Sequence, residues 1–137
     1  MPVEDYEAFA TVVTQLRLNP PYQAAEVHRR SSDAATMAGA APGSAALAEV
    51  LLLIGTWERI GIMASDLSAP QRRKFFRSTP VGLMWAALNP AIQALGGPEA
   101  LAPEFKKLND RYQTWLASPD GEMFRTANQQ AVHAMFG

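Results

Sequence analysis

Glu58 is the residue with the most chemical promise. It stands in Leu47–Ala64, LAEVLLLIGTWERIGIMA, the longest dense apolar run of the chain. On a helical wheel, at about 100° per residue, it falls amid Leu47, Leu51, Ile54 and Ile62. A carboxylate walled in by hydrocarbon must be protonated, or must meet a cation or several hydrogen-bond donors. Arg29 and Arg30 are the best upstream cations, so Glu58, Arg29 and Arg30 form the expected buried-charge hub. Such a hub has two readings. It fixes helix register as a structural ion pair, or it presents an acid of raised pKa to a pocket.

Arg72, Arg73, Lys74 and Arg77, beside Phe75 and Phe76, form the one local basic patch. It suits phosphate, an anionic membrane surface or an acidic partner. It equally suits a solvated helix face, with the two Phe divided between core and edge. His28 and His133 lie far apart, and neither has a carboxylate or second His at ligand spacing, so no metal site is expected. Ser44 and Ser68 read as helix caps and not as nucleophiles. Tyr112 and Trp115 read as core and not as a base-stacking platform. No strand precedes a glycine-rich turn, so there is no phosphate loop. No catalytic residue and no cofactor is expected.

These side chains need a scaffold, and the periodicity predicts an all-α one. A first helix covers about Val3 to Leu18, where Tyr6, Phe9, Val13 and Leu16 recur at three- and four-residue steps. Asn19-Pro20-Pro21 stops it and opens a second helix to about Met37, with Asn19 as cap. The face of that helix, Tyr22, Ala25 or Glu26, Arg29 and Ala34, is weakly apolar. Gly39–Ser44 is a small-residue loop, and Ser44 caps the central helix. Val50, Leu53, Trp57, Ile60, Gly61 and Ala64 widen its apolar arc beyond half the circumference. Glu49, Thr56 and Arg59 take the remaining strip. Gly55 and Gly61 invite close approach by a neighbour, since each costs about 1 kcal/mol relative to Ala.

Ser68 caps a short basic helix whose first turn holds Pro70. Thr79 caps the next, with Pro80 in its first turn. Pro90 lies inside that pattern and predicts a kink near Ala86 or a split. Gly96-Gly97-Pro98 ends it, and a turn of helix covers Glu99–Ala102. Pro103 opens a helix to about Ala117, with the stripe Phe105, Leu108, Tyr112 and Trp115. After Ser118-Pro119-Asp120-Gly121, a last helix runs to Phe136, with Phe124, Ala127, Ala131, Val132 and Met135 on its inner side.

At 137 residues the chain suggests one domain, 1–137, able to bury a core without disulfide or metal. There is no cysteine, which excludes a thiolate site and fits a reducing cytoplasm. Twelve basic and 13 acidic residues give a net charge of −1 and no field for specific nucleic-acid binding. The run Val50–Ile54 is broken by Gly55, Thr56, Glu58 and Arg59, too soon for a bilayer span.

The segment 47–95 resembles a bacterial family known as domain of unknown function 4760. The resemblance rests on Thr56-Trp57-Glu58-Arg59-Ile60-Gly61 and on Trp85-Ala86-Ala87-Leu88-Asn89-Pro90-Ala91-Ile92. Leu18-Asn19-Pro20-Pro21-Tyr22 to Arg29, and the Phe105–Leu116 helix, are similar to its flanking helices. Members often carry a membrane-spanning helix ahead of this domain, and none is read here. The resemblance implies an all-helical domain and no assigned activity.

The expectation is a single bundle of five to seven helices around a buried Leu47–Ala64. Its expected function is that of a small intracellular interaction or regulatory domain without catalysis, binding a protein partner or itself. A homodimer hiding part of the Trp and Phe inventory fits. The alternatives are a small-molecule-binding or enzymatic bundle using Glu58, and a peripheral membrane or nucleic-acid contact through Arg72–Arg77.

Overall fold

A computed structural model describes residues 1–136. All regular structure among them is helical. The order is α1 (Val3–Leu18), α2 (Pro20–Ser32), α3 (Ala34–Ala38), α4 (Ala45–Ala64), α5 (Ala69–Ser78), α6 (Val81–Ala94), α7 (Pro98–Leu101), α8 (Pro103–Leu116) and α9 (Pro119–Phe136). Two of these nine, α3 and α7, are single turns.

α4 contacts α1, α2, α3, α6, α7 and α8. Its buried side is Val50, Leu53, Ile54, Thr56, Trp57, Ile60, Gly61 and Ala64. The expected innermost quadrant is therefore displaced. Leu51 is 43% exposed and Ile62 54% exposed, while Thr56 is buried and donates from Oγ1 to the Leu52 carbonyl at 2.8 Å. The run is apolar almost all round, so the wheel left the inward direction to the neighbouring helices. Those neighbours meet the Trp57 side.

The second helix stops five residues early. Asp33 leaves the helical region at φ 61°, and its side chain accepts from the Thr36 amide at 2.8 Å, starting α3. An Asp offers the backbone this local alternative to helix continuation. The same amide bond holds the Asp33 carboxyl below the ordinary carboxylate range.

Ser44 accepts from the Leu47 amide, and Ser68 forms a reciprocal capping box with Gln71. Asn19 and Thr79 make no side-chain cap bond; prolines occupy those starts. α6 runs unbroken through Pro90. Pro90 and Ala86, whose carbonyl loses its donor, are both exposed, so water can serve that carbonyl. Phe75 and Phe76 are both in the core, each 2% exposed. Phe9, Phe75, Phe76 and Trp115 form a chain of tilted aromatic contacts with centroids 5.2–6.0 Å apart.

α9 departs most from expectation. Phe124 packs on Trp115 at 5.3 Å between centroids, but every residue from Arg125 to Met135 is exposed. Ala127, Ala131, Val132 and Met135, expected inside, face no other part of the bundle core. Among the described residues no helix is long and apolar enough to cross a membrane.

Candidate functional site

The expected hub separates into two distinct sites. Glu58 is half-buried and pairs with no arginine. Its Oε1 accepts from the Glu104 amide at 2.7 Å and from the Phe105 amide at 2.8 Å. These are free donors of the first turn of α8, whose own cap residue, Ala102, supplies no side-chain bond. Glu58 thus caps α8 from α4, and its negative charge suits that helix end. The demand for donors was right, and backbone amides met it. One turn on, a Cβ at Gly61 would lie 2.7 Å from the Glu104 carbonyl, so Gly61 is what allows α8 to approach. Gly55 faces open space.

Arg29 and Arg30 belong to Glu26. Arg29 donates from Nε to Glu26 Oε1 at 2.8 Å and from Nη2 to Oε2 at 3.0 Å. Arg30 Nη2 stands 3.7 Å from Oε2. Glu26 is the carboxylate that is truly buried, at 7% exposure, and the fork geometry of Arg29 is what makes that tolerable. Those bonds push the Arg29 pKa further up.

The same face of α2 carries Tyr22, whose hydroxyl accepts from Trp57 Nε1 at 3.0 Å. Arg17 lies over the Trp57 ring, 5.8 Å from its centroid. Burial raises the Tyr22 pKa above the ordinary value; Glu26 adds to that, while the Trp57 bond and Arg17 oppose it. Arg17, Tyr22, Glu26, Arg29 and Arg30 line one cleft of about 610 Å³ between α1, α2 and α6. Tyr22, Glu26 and Arg29 share the face expected from the sequence, but the acid that Arg29 serves is Glu26 and not Glu58. The signal was present: Glu26 stands three and four residues before Arg29 and Arg30.

The basic patch is largely engaged. Arg72 donates to the Leu67 carbonyl at 2.8 Å, Lys74 sits 5.2 Å over the Tyr6 ring, and Arg77 pairs with Asp120. Arg73 is exposed. Arg72 and Arg73 border a second cleft, of about 650 Å³, floored by Phe76 and Trp115 and shared with Arg111, Asp110 and Asp120. Its charges nearly balance. Asp120 also accepts from Trp115 Nε1 at 2.8 Å, which ties the start of α9 to α8.

His28 Nδ1 lies 3.2 Å from Glu49 Oε2, a contact across 21 residues that spacing did not suggest. His133 is exposed on α9. No group of three His, Asp or Glu side chains fit for a metal gathers among the described residues. No family model, curated protein or solved structure matches the chain.

Proposed function

We propose that this chain is a small interaction or regulatory module without catalytic activity, folded as one bundle around α4, which associates with a second copy of itself through α9. The observation that carries the reading is the bare apolar stripe of α9. Met123, Phe124, Ala127, Ala131, Ala134 and Met135 share one side of this helix, and only Phe124 is covered. Glu122, Arg125 and His133 project from the opposite side, so the stripe is uncharged.

A second copy is the occupant because the stripe is self-complementary. Met123, Ala127, Ala131 and Met135 are spaced symmetrically about Gln129. In an antiparallel pair of α9 helices, Ala127 meets Ala131 of the other copy, and Met123 meets Met135. A two-fold contact requires this kind of self-matching patch. Small residues at its centre permit the closer end of the usual 8–10 Å helix separation, about 8 Å. An isolated helix of this length is marginal in water, so docking would also stabilise its exposed turns.

Light scattering on a sizing column tests this. The wild-type chain should elute at twice the mass of one chain, and Ala127→Glu with Ala131→Glu should elute as a monomer of unchanged helicity. A wild-type monomer at high micromolar concentration, or a dimer indifferent to the two glutamates, would sink the reading.

A further inference from the structure

We infer that the cleft between α1, α2 and α6 is a binding site for a small amphipathic anion, a carboxylate or phosphate monoester on an aliphatic body, held by Arg17, Arg30 and the Tyr22 hydroxyl. Three guanidiniums and one carboxylate line it. The carboxylate, Glu26, has both oxygens taken up by Arg29, with Arg30 beside one of them. The cleft therefore keeps an excess of positive charge. Arg30 is held loosely, with its side chain 69% exposed and 3.7 Å from the nearest oxygen. Arg17 has no carboxylate partner among the described residues and leans on an aromatic face instead.

The second observation is Tyr22. It is 5% exposed and lines the cleft, and its oxygen accepts from Trp57 Nε1 with the Arg17 guanidinium beside it, so the oxygen is used as an acceptor and not as a donor. A phenol also has a proton to give, and among the described residues that proton meets no acceptor. A ligand oxygen supplies one. A phenol and two guanidiniums together call for an anion, since charge-assisted bonds are the stronger kind.

The rest of the wall sets the ligand's other end. Leu18, Val27 and Leu83 stand 61%, 64% and 70% exposed around the opening, and Met84 lies deeper. These side chains are aliphatic and carry no hydrogen-bonding group, which favours a short alkyl chain over a sugar or a base. The volume, about 610 Å³, lies in the range of small-molecule sites.

Titration of the isotope-labelled protein, followed by amide NMR, tests the inference with four probes: hexanoate, hexyl phosphate, hexanol and inorganic phosphate. Hexanoate or hexyl phosphate should saturate shifts in α2 and α6. Hexanol and inorganic phosphate, each lacking one half of the ligand, should bind at least about tenfold more weakly. The tighter of the two anions identifies the head group. Arg30→Gln and Arg17→Gln should each weaken binding about tenfold while the remaining spectrum stays that of the folded protein. Shifts scattered over the surface, or equal affinity in the wild type and both variants, would overturn it.

Discussion

The Glu58 carboxylate closes the first turn of a helix that begins 45 residues later, accepting the Phe105 amide at 2.8 Å. With Gly61 beneath it, it forms the joint between α4 and α8. Trp57, the neighbour of Glu58, stacks on Phe105 at 5.5 Å, so the polar and aromatic parts of the joint act together. Removing the acceptor leaves two amide donors of α8 unserved. Glu58→Ala should lower stability by about 2 kcal/mol, and Glu58→Gln, which keeps one acceptor, by about half of that. Urea unfolding reads both. Equal stability of Glu58→Ala and wild type would show that water serves those amides just as well.

The two glycines of α4 should respond in opposite directions. At Gly61 a methyl group meets the α8 backbone, which cannot rotate away, so Gly61→Ala should destabilise by about 1–3 kcal/mol. At Gly55 there is nothing within 4 Å, so Gly55→Ala should stabilise by about 1 kcal/mol through helix propensity alone. Thermal melts of the two variants moving the same way would contradict this assignment.

The helical character, the loop at Gly39–Ser44 and the Ser44 and Ser68 caps were legible because each rests on neighbours in sequence. Periodicity also found the buried Tyr6, Phe9 and Val13 and the stripe Phe105, Leu108 and Trp115. What failed needed tertiary knowledge. Glu58 points to an arginine in the sequence because side chains are visible there and unserved amides of a remote helix are not. Glu26 stands on a helix whose sequence is only weakly apolar, and nothing local shows that its neighbour Tyr22 is tied to Trp57, 35 residues on. The apolar stripe of α9 reads on a wheel as a bundle-facing side, but a wheel cannot say whether a stripe meets its own chain or another.

The Glu26 and Arg29 pair gives a sharper energetic test. Their side chains are 9% and 17% exposed. Arg29→Met would strand a carboxylate in the bundle and should cost about 3 kcal/mol, while Glu26→Leu with Arg29→Met together should recover most of it, because losing both charges removes the desolvation penalty. Arg30→Ala should change stability by less than about 0.5 kcal/mol, as its contact is long and solvated. Chemical denaturation of Arg29→Met, Arg30→Ala and the double variant reads these costs. A double variant no better than Arg29→Met would mean that the pair itself, and not the stranded charge, sets the cost.

All three tyrosines should titrate late. Burial raises the pKa of Tyr6, Tyr22 and Tyr112 above the ordinary value of 10.0. A raised value means that the folded chain holds the phenol proton more tightly than the unfolded chain. The associated stability is complete below the ordinary tyrosine pKa, about 10, and is lost as pH rises through it toward the folded values. Tyrosinate absorbance of the native protein should therefore lag behind that of the urea-unfolded chain, and unfolding should begin in the same alkaline window. The sequence holds only three tyrosines, so each accounts for a third of the signal, and a third of it appearing at the ordinary pH would mark one ring as solvated. Tyr22→Phe isolates the share of the buried ring in the cleft. It removes the group with the fewest routes to water, and the remaining alkaline transition should move to higher pH.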